Sequence, residues 1–345
     1  AADLANVEQA IDSTSFLGLL DEGKLPGNYI VVLARCEHAR EQLGRLPTDN
    51  RLDELIGRIT DKFAALPTGW WDDFGDANFD MYTPDVYLFA EPFVHRLGDA
   101  WRDGLTLVLA DLADVATPGG AVSWGRSTGA LGIVMNVELG AVAVGRGLTD
   151  DPAGWLAKAE MATHALRAWF DHGVVTAHQH RMTMGYRGPE RRLQMTLDLL
   201  GKLVQAAHEL RRAGADAPPA ATPAAAYGPV DRLVSFDPDR NSGAWTHRGG
   251  GLDLVLPFVG GMWVDYLPTP RWPGTFEVPV DSVSLVSWLP AVHADGSIRT
   301  VQGSPASLTH RPGEVEVRHE GFRNPDLGAG DEATRPIEGE RVARY

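Results

Sequence analysis

Residues Gly69–Tyr87 read GWWDDFGDANFDMYTPDVY, and no other stretch of this chain holds so many chemically active side chains in so little length. Glycine and clustered Asp and Asn favour turns over helix interiors. Pro84 follows Thr83, which indicates the first turn of a new helix. We therefore predict a loop that delivers polar side chains to the start of a helix, where functional residues commonly lie. The alternative is a solvated acidic loop whose aromatic residues cover a core.

Composition limits both the architecture and the partners. The chain has 345 residues, more than one compact core usually holds, so two domains are expected. A net charge of −15 argues against a nucleic-acid or anionic-membrane partner, because binding polyphosphate requires a basic surface. Cys36 is the only cysteine, so no intrachain disulfide is possible, and no Cys/His spacing matches a structural zinc site. We predict neither a metal nor a cofactor.

The sequence gives limited information on the cellular location of the protein. No apolar run reaches the roughly 18 to 20 residues that span a bilayer. The N-terminal residues AADLANVEQA lack a basic region followed by an apolar one. We expect a cytoplasmic protein, or a secreted one whose signal has already been removed. The oligomeric state is not indicated.

Residues 1–212 show helical periodicity. The clearest helix repeats apolar residues at spacings of three and four, at Leu52, Leu55, Ile56, Ile59 and Phe63. Further helices are predicted at about residues 3–20, 28–45, 84–97, 100–115, 127–146, 152–171 and 189–212. The segment 127–146 is so apolar that we expect it to be buried on most sides. Short loops between these helices predict antiparallel helix pairs.

Composition changes abruptly at residues 213–228, where AGADAPPAATPAAAYG has no helical or strand period and predicts an Ala/Pro linker. Beyond it, short runs rich in Val, Phe, Trp and Thr alternate with Gly, Pro and Asp, which predicts antiparallel strands. These are Leu233–Phe236, Leu252–Leu256, Met262–Tyr266, Thr275–Val280, Val283–Trp288 and Glu314–His319, with a hairpin turn at residues 293–296. Residues after about 323 are predicted to form an extended strap or a frayed tail.

These patterns predict an α+β multidomain fold with three parts. Residues 1–212 form an (α/α) toroid-like domain of helix pairs, residues 213–228 a linker, and residues 229–345 an antiparallel β-sandwich. Many glycan-cleaving enzymes share this architecture, with a groove in the toroid that the sandwich walls at one end. Fold alone does not define function, which depends on the residues of a site.

Three motifs carry a resemblance. They are GWWDDFGDANFDMYTPDVYLFAEPF at residues 69–93, GGAVSWGRSTGALGIVMNVELGAVAV at 119–144 and WFDHGVVTAHQHRMTMGY at 169–186. Together they resemble a bacterial family long classed as a domain of unknown function, some members of which are glycoside hydrolases active on glucuronic-acid-containing glycans. The resemblance covers about residues 60–212 and implies an (α/α) toroid related to β-glucuronidases.

This chain departs from that family in two places. Thr83 stands where the family tends to have Asn, and residues 128–130 read Thr-Gly-Ala where it tends to have Leu-Thr-Tyr. The segment VDYLPTPRWPGTFEVPV, residues 264–280, is similar to the sandwich domains of heparinase-like and hyaluronate-lyase-like polysaccharide lyases. Those lyases have toroids with more helices than we predict here, so a shortened toroid is implied.

Clustered carboxylates suggest glycoside hydrolysis. This reaction requires two carboxyl groups about 5–5.5 Å apart for retention, or about 6.5–9.5 Å apart for inversion. Asp72, Asp73, Asp76 and Asp80 supply candidates on one loop. Asp76 and Asp80 are the predicted pair, since Asp80 matches the family's Asp-x-Tyr motif and Asp76 precedes it by one turn. The alternative is that these carboxylates bond the turn backbone.

Aromatic rings and one arginine are the predicted substrate contacts. Trp70, Trp71, Tyr87 and Trp124 offer flat apolar faces to sugar rings, or alternatively fill cores. Arg126 is the predicted partner of a uronate carboxylate, because guanidinium pairs with carboxylate bidentately. Its alternative role is an ion pair with a loop aspartate. The predicted partner is therefore an acidic oligo- or polysaccharide.

Two other hypotheses stay open. A polysaccharide lyase removes the C5 proton of a uronate and protonates the leaving oxygen, for which Tyr82, Tyr186 and His178 are candidates. His180 is predicted to contact the substrate, and His178-x-His180 has no evident third partner that would make it a metal site. The third hypothesis is a non-catalytic glycan-binding protein that retains the aromatic groove.

Overall fold

The structure of this chain is a computed structural model that combines α-helices with antiparallel β-sheets. It describes residues 5–6, 8–9, 11–73, 75, 77–117, 120–122, 124, 130–175, 189–214, 227–250, 252–259, 291–294, 297–301, 304–323 and 337–345. The predicted mixture of helices followed by antiparallel strands is confirmed at this level. Within the described part of the chain, no helix has both the length and the hydropathy that a bilayer span requires.

Most helices lie close to the predicted positions, but the helix predicted at about residues 3–20 is wrong in extent, because residues 11–13 are not helical and the helix that follows them begins at Thr14. They are α1 Thr14–Asp21, α2 Tyr29–Gln42, α3 Leu52–Ala64, α4 Tyr82–Ala90, α5 Asp99–Val115, α6 Ala130–Gly145, α7 Pro152–Leu166 and α8 Pro189–Arg212. Short 3₁₀ helices follow α4 at Glu91–Arg96 and α7 at Arg167–Trp169. Helix α7 ends before the predicted boundary because the chain turns into a small hairpin at residue 170.

Local sequence explains the best-defined helices. In α3, the apolar residues that recur at spacings of three and four are all buried, so one face of the helix packs inward. Helix α7 begins at Pro152, where the preset φ of proline fits the first helical position. The Asp151 carboxylate caps this helix by accepting a 2.9 Å hydrogen bond from the Gly154 N–H.

Helix α6 is buried along nearly its whole length, as its apolar composition predicts. It packs against both α7 and α8. A Cβ added at Gly140 would lie 2.8 Å from the Trp155 carbonyl oxygen, so glycine permits a close approach of α6 to α7. The fully buried Glu138 pairs at 3.3 Å with Lys202 of α8.

The chain divides into two compact units. One contains residues Ala1–Gly75 and Tyr82–Val108, and the other contains Asp76–Met81 and Leu109–Tyr345. The segment Gly69–Tyr87 therefore contributes to both units. Residues 215–226, the greater part of the predicted linker, lie outside the described residues, so the predicted three-part division stays a prediction.

The strands form antiparallel sheets in the second unit. They are β1 Phe170–Asp171, β2 Val174–Val175, β3 Val230–Asp237, β4 Ser242–Gly249, β5 Leu252–Phe258, β6 Ala291–Ala294, β7 Ser297–Val301, β8 Ser307–Arg311, β9 Glu314–Arg323 and β10 Ile337–Arg344. Strands β1 and β2 form a hairpin whose two turn residues, His172 and Gly173, have positive φ angles of 48° and 79°. Such angles are typical of a tight hairpin turn.

Two larger sheets share one apolar cluster. The first has the order β3-β4-β5, and the second has the order β10-β9-β7-β6 with β8 also paired to β9. In the first sheet, Leu233 pairs with Trp245, which in turn pairs with Leu256. Buried residues of both sheets form the cluster: Trp245, Leu254, Leu256 and Phe258 from the first, and Val315 and Val317 from the second.

The predicted strands have mixed outcomes. Those at residues 233–236, 252–256 and 314–319 lie inside β3, β5 and β9, and β6 and β7 pair antiparallel on either side of the predicted hairpin turn. The predicted strands at 262–266, 275–280 and 283–288 lie outside the described residues. Strands β4 and β8 were not predicted. The predicted C-terminal strap or frayed tail contains β10, which pairs with β9 from Ile337 to Arg344.

Candidate functional site

The N-terminal part of the segment Gly69–Tyr87 is anchored within the first unit. Gly69 has a φ of +76°, and the Tyr87 hydroxyl donates a 2.6 Å hydrogen bond to its carbonyl oxygen. The Tyr87 ring stacks on Phe63 with centroids 4.5 Å apart. Trp101 donates from its Nε1 to the Tyr87 carbonyl at 2.8 Å. Burial raises the pKa of the Tyr87 hydroxyl, so this donor stays protonated.

Two of the loop carboxylates bond backbone N–H groups. Asp73 is buried, and its Oδ1 accepts a 2.6 Å bond from the Asn28 N–H. The Asp73 carbonyl accepts from the Gly27 N–H at 2.9 Å. Asp72 Oδ1 accepts from the Gly75 N–H at 2.9 Å. These contacts hold the turn, which is the structural role that clustered aspartates commonly have.

Trp71 packs under a lysine. The Lys62 ammonium lies 3.6 Å from the centre of the Trp71 ring and donates to the Asp72 carbonyl at 3.3 Å. Desolvation lowers the pKa of Lys62, against the opposing effect of Asp73 and Asp72. The Trp71 Nε1 is buried and has no hydrogen-bond partner among the residues that the structure describes.

The middle of the segment belongs to the second unit. Ala77 has a φ of +63°, and beyond it Phe79 enters an aromatic group. Trp124 donates from Nε1 to the Phe79 carbonyl at 2.8 Å, and both rings contact Phe236 of β3, with centroids 5.9 Å and 5.7 Å away. Asp80 follows Phe79 and is only 2% exposed. Asp80 is therefore a buried carboxylate whose neighbour in the chain, Phe79, belongs to a cluster of aromatic rings.

The predicted site residues fall into two groups. Five lie outside the described residues: Asp76, Arg126, His178, His180 and Tyr186. Among the others, the four predicted aromatic contacts are at most 1% exposed: Trp70, Trp71, Tyr87 and Trp124. Their ring faces are covered by protein in this structure, as the alternative of core filling describes. Asp80 is buried as well, and Tyr82 at the start of α4 is half-buried.

A second polar cluster joins the two larger sheets. Asp231 Oδ1 accepts 2.9 Å hydrogen bonds from His310 Nε2 and Trp245 Nε1. Its Oδ2 accepts from the Gly313 N–H at 2.5 Å, and His247 Nδ1 lies 3.8 Å from Oδ1. The hydrogen bonds from His310 and then Trp245 hold the pKa of Asp231 well below its usual range. Asp231 thus fastens the β8–β9 turn to β3.

A third cluster lies where α5, α7 and β4 approach Tyr227. Lys158 and Arg248 are 4% and 6% exposed, and both cations face the Tyr227 ring. Sequence patterns did not predict this cluster, because its residues come from separate elements. The one available signal was that Lys158 lies three residues after Trp155 and four before Ala162, on the buried face of α7.

No arrangement of three or more His, Cys, Asp or Glu side chains in the described ranges could hold a metal ion. Comparisons with family models, curated proteins and solved structures found no match for this chain.

Proposed function

We propose that this chain is a carbohydrate-active enzyme that cleaves glycosidic bonds in a uronic-acid-containing glycan. The observation that carries the proposal is the burial of Asp80, which is 2% exposed within the most acidic and aromatic segment of the chain. Burying a carboxylate costs free energy unless hydrogen bonds or charges compensate. A solvated acidic loop would leave this carboxylate in water, whereas Asp80 is held in the interior, where its surroundings can tune an acid or a base.

In the proposed mechanism, Asp76 and Asp80 act as the paired acid and base of a glycoside hydrolase. The proposed architecture is an (α/α) toroid followed by a β-sandwich, and the apolar cluster shared by the two larger sheets supports the sandwich. The buried aromatic residues position the loop. Arg126, His180 and Tyr186 remain the proposed contacts to the acidic sugar.

A polysaccharide lyase is the alternative enzyme, and the partial exposure of Tyr82 supports this alternative. Tyr82 is half-buried at the first residue of α4, so this residue is more exposed than the enclosed Tyr87. In this mechanism Tyr82 and His178 transfer the protons of a β-elimination. A non-catalytic glycan-binding protein is the remaining outcome.

Product analysis tests the proposal directly. The purified protein is incubated with acidic polysaccharides and with carboxyl-reduced versions of the same chains. A hydrolase yields new reducing ends without ultraviolet absorbance, whereas a lyase yields unsaturated uronates that absorb near the ultraviolet edge. Binding without either product, seen by affinity electrophoresis, would identify a glycan-binding protein. If the protein forms neither product and binds no glycan, the proposal is rejected.

Two matched variants locate the catalytic carboxylate. Asp80→Asn should lower turnover by about 10²-fold or more, because a general acid or base contributes at least that factor. Asp72→Asn is the control, since Asp72 Oδ1 accepts a hydrogen bond from the Gly75 N–H and bonds within the turn. Equal activity of Asp80→Asn and wild type would remove Asp80 from the mechanism.

Arg126→Lys tests the uronate contact. The variant keeps the charge but loses the two-pronged geometry, which costs about 2 to 5 kcal/mol for a desolvated charged hydrogen bond. Activity on the acidic glycan should fall roughly 30-fold or more, while activity on the carboxyl-reduced glycan changes little. An equal loss on both substrates would assign Arg126 a structural role.

A further inference from the structure

Three polar side chains converge inside the second unit, away from the segment Gly69–Tyr87 in the sequence. Lys158 comes from the middle of α7, Arg248 from β4, and Tyr227 precedes β3. The end of α5 supplies the carbonyl groups of Ala113 and Asp114. Lys158 and Arg248 are almost entirely buried, so the cluster is part of the protein interior.

The distances define a compact arrangement around one ring. The Lys158 ammonium lies 3.9 Å from the centre of the Tyr227 ring and donates to the Ala113 carbonyl at 3.1 Å. The Arg248 guanidinium lies 5.6 Å from the same ring centre and donates to the Asp114 carbonyl. The Tyr227 hydroxyl is buried and has no hydrogen-bond partner among the described residues. Two cations therefore face one ring whose hydroxyl has no partner in the described part of the chain.

We infer that Lys158, Tyr227 and Arg248 form a binding site for an α-keto acid, in which the Lys158 amine condenses with the ketone and Arg248 holds the carboxylate. Guanidinium is the side chain best matched to a carboxylate, and the unsatisfied Tyr227 hydroxyl can bond the ketone oxygen. Lysine amines form imines with carbonyl compounds when burial or a neighbouring cation activates them. Both conditions hold at Lys158.

The proposed step needs no oxidant or co-reactant. The lone pair of the neutral amine forms a bond to the carbonyl carbon, and a proton moves from nitrogen to the carbonyl oxygen to give a carbinolamine. Loss of the hydroxyl and the second N–H proton as water forms the carbon–nitrogen double bond. One amine and one ketone thus give one imine and one water.

Electrostatics around the amine support the inference. Desolvation and then the Arg248 charge lower the pKa of Lys158 to about 7, against the opposing effects of Asp114 and Asp151. Burial raises the pKa of the Tyr227 phenol, which therefore stays neutral. At neutral pH the fraction of deprotonated amine at Lys158 is roughly 10³-fold higher than for a lysine of ordinary pKa. The proposed site is separate from the glycan-cleaving function, which stands or falls independently.

Borohydride trapping on the whole 345-residue chain tests the inference. The protein is incubated with pyruvate, the imine is reduced to a stable amine, and the modified lysine is located by peptide mass mapping. Lys202 is the matched internal control, because it is also 4% exposed but pairs with Glu138 at 3.3 Å. We expect Lys158 to be labelled at least about tenfold more than Lys202, with labelling that levels off above about pH 7.

Variants separate the two roles. Lys158→Arg should abolish the adduct, whereas Lys202→Arg should leave it unchanged. Because desolvation and then the Arg248 charge lower the pKa of Lys158, Arg248→Gln and wild type are compared at a pH where the amine is neutral in both proteins. There the substitution should reduce labelling by pyruvate about tenfold or more, but change labelling by the neutral ketone hydroxyacetone little. If Lys158→Arg does not fold, mapping of the wild-type adduct decides alone. Absence of label at Lys158, or equal label on other lysines, would overturn the site. Equal loss with both ketones in Arg248→Gln would overturn the acid specificity.

Discussion

Replacing Lys158 by Met is expected to stabilise the protein at neutral pH. Desolvation and the Arg248 charge lower the pKa of the amine to about 7 from its ordinary 10.5. The unfolded chain restores the ordinary value, so between about pH 7 and 10.5 the unfolded state binds more protons than the folded state. The contribution of Lys158 to the free energy of unfolding must therefore rise with pH across this window. Below it, the protonated amine carries its full cost.

The size of the effect follows from the two pKa values. At ~1.4 kcal/mol per pKa unit, the difference corresponds to about 5 kcal/mol of destabilisation at low pH and slightly less at pH 7. Met has a similar length and no charge, so it removes this cost. It also leaves the Ala113 carbonyl without its lysine donor, which costs about 1 to 3 kcal/mol. The expected net gain at pH 7 is about 1 to 3 kcal/mol.

Urea unfolding from pH 6 to 10, followed by far-ultraviolet circular dichroism, measures both the gain and the slope. Lys202→Met is the control, because it leaves the fully buried Glu138 without its 3.3 Å partner and should cost about 3 to 5 kcal/mol. The two substitutions are chemically identical and equally buried but have opposite expected signs. If Lys158→Met destabilises the protein at pH 7, or leaves the pH dependence unchanged, the reasoning is wrong.

Three further substitutions test other contacts. Asp231→Asn should destabilise the protein at neutral pH, because the hydrogen bond from His310 and then that from Trp245 lower the pKa of Asp231 in the folded state. The loss in free energy of unfolding, measured by acid titration, should shrink below about pH 4, where the wild-type carboxylate loses this advantage. Gly69→Ala should cost at least ~1 kcal/mol, because φ is +76° and the new Cβ would collide with the Gly104 carbonyl; the melting temperature measures this loss. Tyr87→Phe removes the hydrogen bond to the Gly69 carbonyl and should lower the free energy of unfolding, measured in urea, by about 1 to 2 kcal/mol. An unchanged free energy of unfolding would mean that water takes the place of the hydroxyl.

Elements with a strong local signal were predictable from the sequence. The apolar spacing of α3 and the Asp151-Pro152 start of α7 act within one or two helical turns, so neither depends on distant residues. Strand β4 was missed because SGAWTHRG shows no alternation, yet it is the central strand of its sheet and is almost fully buried. Strand β10 was missed because its polar sequence is ordered by pairing with β9. Propensity cannot reveal such tertiary effects.

The candidate sites likewise depend on tertiary contacts that local sequence does not reveal. The segment Gly69–Tyr87 stood out by composition, but burial of its tryptophans depends on the helices packed around them. Composition could not separate a sugar-binding ring from a core ring. Lys158 and Arg248 belong to elements far apart in the chain, with unremarkable neighbours in the sequence. Only the fold brings them to the same tyrosine.

The contacts of Trp124 and Phe79 with Phe236 also impose an order on biosynthesis. Phe79 and Trp124 leave the ribosome early, whereas Phe236 is added only after α8 is complete. Contacts this distant in the chain form late, because a long loop must close first. Until β3 emerges, the nascent helical region lacks part of its aromatic core and exposes surface of the kind that recruits chaperones. This aromatic part of the second unit is therefore completed only when β3 has been translated.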